Sequence, residues 1–438
     1  MIHHSILNSP LPRQIIRRYA PIMLLLGCIV PLVASCGLHS GAGVLAFLRS
    51  GALWTIQSDG SSPTMIAAAD IAGFAWSPDH HQFVLRYGAN APPKPPQSTL
   101  GAPDSPSNLG IVSVNGGTVL QITPQDNGVL RSDAWWDPNG NRLLYREQLN
   151  GSGQPPTYFI SQADQPIGIA RKLVFAAATL PAIAPDGQRV AIIDATGNLR
   201  LGPPGAIGQR IATGALAALP TTNRPARILW QPHTDALLFD AASPLGVSLI
   251  LNDMHGGSRA LATVPALLDA AFSPDGSRLL IRTPTDFQLY TTTASDSPLF
   301  SWPETDPTAL PWWSPDGRSV LVQDSTGWQQ VDVIHHTVRQ LLTYSQRGAP
   351  TNPGANPDWR PAATSPFSPD GSQIVFAAPA SSTWLGDQLP YPHNSSTGLY
   401  IASIQSGSPG RATLIDSGAD YAPGWSYFDP STAFLVAS

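Results

Sequence analysis

An all-β propeller of about eight four-stranded blades is predicted by three observations. One short turn sequence returns at near-regular intervals, each copy follows an aromatic residue and leads into a brief apolar run, and the composition suits short strands joined by many turns. Of 438 residues, 38 are Gly and 45 are Pro, and only 12% are charged, a poor composition for long surface helices. A repeat at this spacing fixes the architecture, because each unit can bury its apolar faces only against its neighbours.

The clearest copies are Phe272-Ser273-Pro274-Asp275-Gly276, Trp313-Ser314-Pro315-Asp316-Gly317 and Phe367-Ser368-Pro369-Asp370-Gly371. Weaker ones begin at Trp76, Trp136, Ile183 (in the aromatic's place), Trp230 and, eroded, Trp425. The intervals between the eight are 60, 47, 47, 42, 41, 54 and 58 residues. The shortest match the ~40–45 residues of a four-stranded blade, so the longer ones contain insertions. Within each copy, Pro presets φ, Asp bonds backbone amides just beyond it and Gly supplies a positive φ. The apolar run that follows, such as Val190-Ala191-Ile192-Ile193, reads as a buried strand. Further strand signals fill each interval, for example Phe287-Gln288-Leu289-Tyr290 and Pro298-Leu299-Phe300.

These residues resemble the TolB-like propellers, relatives of the WD-repeat propellers whose blades carry this Ser-Pro-Asp-Gly turn. The resemblance covers nearly everything after residue 43 and implies the fold, not a function. TolB itself has six repeats and a separate N-terminal domain, so a role in the Tol envelope system is not carried over.

Ring closure follows from the chain ends. Val44–Leu48 and Leu53–Ile56 precede the first motif and read as later strands of a blade, while the C-terminus stops after the early strands of the eighth copy, including Phe434-Leu435-Val436. Joined, they complete one blade and remove an open edge. Seven blades result if the eroded copy contributes closing strands only.

The motif turn joins the first two strands of a blade, on one side of the disc. The long segments fall in connections that face the other side: 88–108, 147–156, 345–366 with Arg347, Asn356, Trp359 and Arg360, and 378–397 with Trp384, Tyr391 and His393. In an eight-bladed ring they sit on adjoining blades, and insertions gathered on one face mark a binding side. Trp359, Arg360, Trp384, Tyr391 and His393 are the candidate binding residues, since aromatics and Arg dominate contact energetics. The competing expectation is that Pro-rich tips are tolerated variation.

At the N-terminus, Arg13, Arg17 and Arg18 precede an apolar stretch, Ala20–Val33, that is too short and too interrupted by Pro to span a membrane well. Val33-Ala34-Ser35-Cys36 then resembles a bacterial lipobox, which implies a signal peptide over 1–35, lipidation of Cys36, a linker over 36–43 and a propeller over 44–438. Cys28 leaves with the signal, so no thiol is left for a disulfide, metal site or nucleophile. Removing three Arg leaves 21 basic against 29 acidic residues, a net of −8. Such a body is not held to an anionic membrane by charge, so the lipid holds it. No basic stripe points to nucleic acid.

Catalytic and metal chemistry find little support. Gly424-Trp425-Ser426-Tyr427 starts like a serine-nucleophile elbow, but Phe428 stands where a second Gly is needed and no chain follows to supply Asp and His. The pairs His80-His81 and His335-His336 lack ligand spacing and read as surface residues. Asp137-Pro138-Asn139-Gly140-Asn141 lacks the glutamate that closes a calcium loop. Asn394-Ser395-Ser396 is a sequon in form only. Asp194, Asp240, Asp269 and Asp324 are placed at the channel or the faces, with no spacing for acid–base work.

The expectation is therefore a non-catalytic, lipid-anchored extracytoplasmic monomer, without catalytic residues, cofactor or metal, that binds an envelope protein, peptide or glycan. The rival is a propeller enzyme, a glycan lyase or hydrolase with acids in the axial pocket. A third reading is a domain that only spaces or stabilises a larger envelope complex.

Overall fold

The computed structural model describes residues 43–438 except 69–70, 89–106, 125–127, 150–156, 166–171, 177–180, 195, 213–227, 256, 294–296, 307–308, 325, 345–364, 380–387, 390–396, 405–412, 418–420 and 426–438. The signal segment and Cys36 therefore lie outside the described residues. From Gly41 onward the chain forms one compact unit.

Eight sheets, antiparallel within every blade, follow one another along the chain, and no helix occurs among the described residues. Blade 1 consists of Ile71–Trp76, Gln82–Gly88, Ser107–Ser113 and Leu120–Gln121. Blade 2 has Val129–Trp136, Arg142–Leu149, Thr157–Gln162 and Lys172–Ala176. Blade 3 has Ala182–Ile183, Val190–Ile193, Leu199–Gly202 and Gln209–Ala212. Blade 4 has Ile228–Trp230, Leu237–Ser243, Gly246–Asn252 and Ser258–Val264. Blade 5 has Asp269–Phe272, Arg278–Arg282, Asp286–Thr291 and Phe300–Pro303. Blade 6 has Leu310–Trp313, Ser319–Asp324, Gly327–Asp332 and Thr337–Tyr344.

In blade 7 the first-strand place is marked among the described residues by a single bridge, Phe367 to Ile374, ahead of Gln373–Pro379, Thr397–Ser403 and Thr413–Ser417. Blade 8 closes the ring. Tyr421–Trp425 is its first strand, and Val44–Arg49, Ala52–Gln57 and Thr64–Ala68 are its second to fourth. Leu45 pairs with Trp425 as Leu279 pairs with Phe272 and Val320 with Trp313. The second-strand place expected for Phe434–Val436 is thus taken by the N-terminal strand; residues 434–436 lie outside the described residues. The count is eight, not seven.

Burial shows which edge of each sheet faces inward. All four residues of Asp269–Phe272 are buried, and so are Pro311, Trp312 and Trp313, whereas the fourth strands Ser258–Val264 and Phe300–Pro303 expose much of their length. First strands therefore lie inside the ring and fourth strands on its perimeter.

Each apolar cluster lies at a blade junction, as stacked repeats require. Leu144 and Ile160 of blade 2 pack with Ile183 and Ile192 of blade 3. Leu45 and Phe47 of blade 8 pack with Val375 and Leu399 of blade 7. The largest cluster spans blades 5, 6 and 7, where Trp312 stacks on Trp328 with centroids 5.7 Å apart. At the closing junction, Ile71 of blade 1 donates its N–H to the Gly51 carbonyl of blade 8 at 3.0 Å.

The motif turn shows why its residues recur. Ser273, Ser314 and Ser368 are almost wholly enclosed, and each donates its hydroxyl to the aspartate two residues on, at 2.6 Å. The same oxygen accepts the N–H five residues on, at 2.9 Å, which ties the turn to the start of the second strand. Gly276, Gly317 and Gly371 take φ of 70°, 65° and 69°. In blade 1 His80 holds that place at φ 60°, half-buried against Trp76. In blade 2 Asp137 replaces the serine: Oδ1 accepts from Asn141 and Arg142 N–H at 2.7 and 2.9 Å, and Oδ2 from Arg142 Nε at 3.0 Å. The calcium-like stretch is therefore a blade turn.

Candidate functional site

The strand directions place every motif turn on one face of the ring, because each first strand ends in the motif. The second strand runs to the opposite face, where it meets the second-to-third turns and the crossings between blades. The four segments expected as insertions, like the connection over 213–227, leave and rejoin on that opposite face. One joins Gly88 to Ser107, one Leu149 to Thr157, one Tyr344 to Ser365 and one Pro379 to Thr397. The second insertion is shorter than expected, since Glu147–Leu149 belong to the strand. Their attachment points lie on blades 1, 2 and 7 and at the blade 6–7 crossing, with blade 8 between.

Trp359, Arg360, Trp384, Tyr391 and His393 lie outside the described residues, as do Arg347 and Asn356. One piece of the blade 7 insertion is placed. Gln388–Leu389 pairs in parallel with Thr343 and Tyr344 at the end of blade 6, making that sheet five-stranded. The insertion that carries Trp384, Tyr391 and His393 thus returns to the point where the one carrying Trp359 and Arg360 begins. The two most exposed large apolar side chains among the described residues, Leu245 at 77% and Leu149 at 58%, also stand on this face.

The same end of the blades carries charged side chains, most of them buried. Asp194, Asp240, Asp269 and Asp324 all come to this end of the first or second strands. Two of them are turn acids. Asp324 accepts from Thr326 N–H at 2.7 Å, Gly327 N–H at 2.9 Å and Gln329 Nε2 at 2.6 Å. Asp194 does the same in blade 3 through Thr196, Asn198 and Arg200; although burial opposes it, these bonds hold its carboxyl far below the usual carboxylate range. Asp269 stands opposite Arg282 in the register of blade 5, and both are buried.

Two buried arginines tie junctions together at this face. Arg131 of blade 2 donates from Nε to Glu147 at 3.0 Å, and from Nη1 to Asn108 Oδ1 at 3.0 Å and to the Ser107 carbonyl of blade 1 at 3.2 Å. Arg282 of blade 5 donates to the Ala309 carbonyl and, at 2.7 Å, to that of Asp306, holding the crossing to blade 6. Glu304 is buried in the same crossing and accepts the Asp306 N–H at 2.7 Å. Burial first, then the negative charges of Asp324 and Asp306, push its carboxyl above the usual range.

Sequence reasoning singled out the four aspartates but not Arg86, Arg131, Arg282 or Glu304. A signal was present. The tenth residue after the aromatic breaks the apolar run in blade after blade, as Arg86, Arg146, Asp240, Arg282 and Gln323. Among the described residues no three His, Cys, Asp or Glu side chains converge as metal ligands would. The six described histidines, His80, His81, His233, His255, His335 and His336, all lie in turns of the motif face.

No family model matches this chain, and no curated protein matches it. Among solved structures it is similar to the crystal structure of a eukaryotic initiation factor, at 13% identity and a TM-score of 0.50, covering 88% of this chain and 98% of that one. It is also similar to TolB from Acinetobacter baumannii, at 13% identity and a TM-score of 0.39, covering 89% of this chain and 67% of that one. An oligogalacturonate lyase in complex with manganese matches at 14% identity and a TM-score of 0.46, covering 84% and 97%. At these identities the likeness concerns the fold alone.

Proposed function

We propose that this chain is a non-catalytic, lipid-anchored extracytoplasmic propeller that binds a protein, peptide or cell-envelope glycan on its insertion-bearing face, as a monomer. The observation that carries the reading is that the four longest connections between strands, over 89–106, 213–227, 345–364 and 380–396, leave and rejoin the blades on one face. Loops raised on a rigid scaffold are where binding residues concentrate. The junction at Tyr344 and Leu389 supports it further, since it brings together the two insertions richest in aromatics.

The test is recovery of partners from an envelope extract. Trp384→Ala with Tyr391→Ala should lower recovery about tenfold or more if these are anchor residues. Replacing the motif-face turn His233–Asp235 by Gly and Ser should leave it unchanged. Equal losses from both would remove the face assignment.

Glu304 favours the second reading, a glycan lyase or hydrolase, because a buried carboxyl with a raised proton affinity beside other acids is what acid–base catalysis uses. Its surroundings support a structural role instead. Glu304 accepts a backbone N–H, Asp324 is occupied by its own turn, and Arg282 is committed to carbonyls of the crossing. Turnover of an envelope polysaccharide that disappears in Glu304→Gln would establish the enzyme. A domain that only spaces a larger complex would show no loss from either face.

A further inference from the structure

Because the eight blades repeat one pattern, each register position can be compared around the ring. Two residues beyond the partner of the motif aromatic, every second strand pairs with a residue of the third, which pairs in turn with one of the perimeter strand. In seven blades these two outer residues are uncharged, as with Ile250 and Ala260 in blade 4 or Gln329 and Gln340 in blade 6. In blade 3 they are Arg200 and Arg210.

Side chains directly opposed on a hairpin have Cβ atoms about 5 Å apart, and like charges placed so are destabilising. Alternation puts both arginines on the side of Ile192, which packs with Tyr158 and Ile160 of blade 2, whereas Leu199, Leu201 and Ile211 turn to blade 4. The carboxylate beside them, Asp194, is already occupied. It accepts the N–H groups of Thr196 and Asn198 as well as the Arg200 Nε–H. Together with the Gly208 carbonyl, 3.3 Å from Nη1, it fixes the Arg200 guanidinium and leaves Nη2 without a partner among the described residues. Arg210 is exposed and has no partner among them either. The surrounding sequence adds to the imbalance. Residues 195–234 contain four Arg and no Asp, Glu or Lys, while the rest of the chain has 20 basic and 29 acidic residues.

We propose that Arg200 and Arg210 form a binding site for a carboxylate- or phosphate-bearing polysaccharide on the outer flank of the blade 2–3 junction. An anionic group set between the two guanidiniums takes charge-assisted hydrogen bonds from both and removes the repulsion between them. Arg200 is held in place by Asp194, so ordering it on binding costs little, and Arg210 closes on the anion from the neighbouring strand. A polysaccharide fits better than a nucleic acid. Tyr158 is buried at this junction and offers no ring to a base, and two guanidiniums neutralise too few phosphates to hold a duplex against an acidic chain. The site lies outside the insertion-bearing face, and neither reading depends on the other.

The experiment titrates the full chain with alginate, polyglycerol phosphate, neutral dextran and duplex DNA at low and at physiological salt. Binding of alginate, of polyglycerol phosphate or of both, without dextran, supports the site and tells carboxylate from phosphate. Arg210→Gln breaks no hydrogen bond of the fold and should weaken that binding about tenfold, with a shallower salt dependence. Arg259→Gln removes the same charge from the perimeter strand of blade 4 and should leave it unchanged. Equal weakening by the two variants would reduce the attraction to net charge and overturn the site. Failure of both polyanions to bind, or tighter binding of duplex DNA, overturns it as well.

Discussion

Arg131 Nε donates to Oε1 of Glu147 across 3.0 Å, with the arginine almost entirely enclosed where blades 1 and 2 meet. The pair joins two strands of blade 2, while the guanidinium's other bonds reach Ser107 and Asn108 of blade 1. Arg131→Met removes the cation from a partly buried carboxylate and two bonds from the junction. It should destabilise the protein by about 3–5 kcal/mol in chemical denaturation. Adding Glu147→Gln should recover part of that loss, which a cost arising from packing alone would not allow.

The motif aspartates predict an acid limb. Burial opposes ionisation of Asp79, Asp275 and Asp370, but hydrogen bonds from Ser77, Ser273 and Ser368 and from backbone N–H groups outweigh it and hold all three carboxyls below the usual range. A depressed folded value means the contribution is complete above the unfolded value, about 3.9, and is lost as pH falls through the folded one. Thermal stability should therefore drop below about pH 4. Asp275→Ala with Asp370→Ala should flatten that drop and cost about 1 kcal/mol each at neutral pH, the low end because these carboxylates face solvent.

Glu304 behaves oppositely. Its raised value means the folded state holds a proton that the unfolded state has released, so its contribution is present below about pH 4.3 and lost as pH rises through the folded value. Charged Glu304 thus costs stability at neutral pH. Glu304→Gln keeps an oxygen for the Asp306 N–H and should raise the melting temperature at pH 7, with the gain vanishing by about pH 4. A lower melting temperature at pH 7 would contradict the assignment.

Two glycines of the insertion-face hairpins cannot carry a side chain. Gly327, at φ 150°, would place a Cβ 2.0 Å from the Leu342 carbonyl oxygen, and Gly246, at φ 128°, would place one 2.3 Å from that of Val264. Both contacts are with backbone, so Gly327→Ala and Gly246→Ala should each cost more than about 3 kcal/mol or prevent folding. Gly117, at φ 115°, meets nothing within 4 Å, so its alanine variant should cost about 1–2 kcal/mol through backbone strain alone.

The architecture was legible because the repeat is enforced at each copy by the same bonds. A buried serine oxygen that accepts a strand N–H and donates to an aspartate leaves few alternatives, so Ser273, Ser314 and Ser368 recur with their spacing. Which strand fills which place in the last blade was less legible. Val44–Arg49 and Phe434–Val436 are both apolar runs, and only the pairing of Leu45 with Trp425 assigns the second-strand position. Among the described residues blade 7's first strand is a single bridge, Phe367 to Ile374, and the residues before Ser365 lie outside them. The buried charges were partly hidden. Arg131 and Glu304 lie in different repeats from some of their partners, and contacts across a junction leave no mark in the spacing of one copy.

The chain carries two lysines. Lys94 lies in the blade 1 insertion, and Lys172 opens the perimeter strand of blade 2 at the motif-face end. An amine-reactive diazirine, coupled to the protein and photolysed on intact cells, inserts into peptide and sugar alike. Binding on the insertion-bearing face predicts captured material on peptides containing Lys94 and little on those containing Lys172. Capture through Lys172 without Lys94 would contradict it.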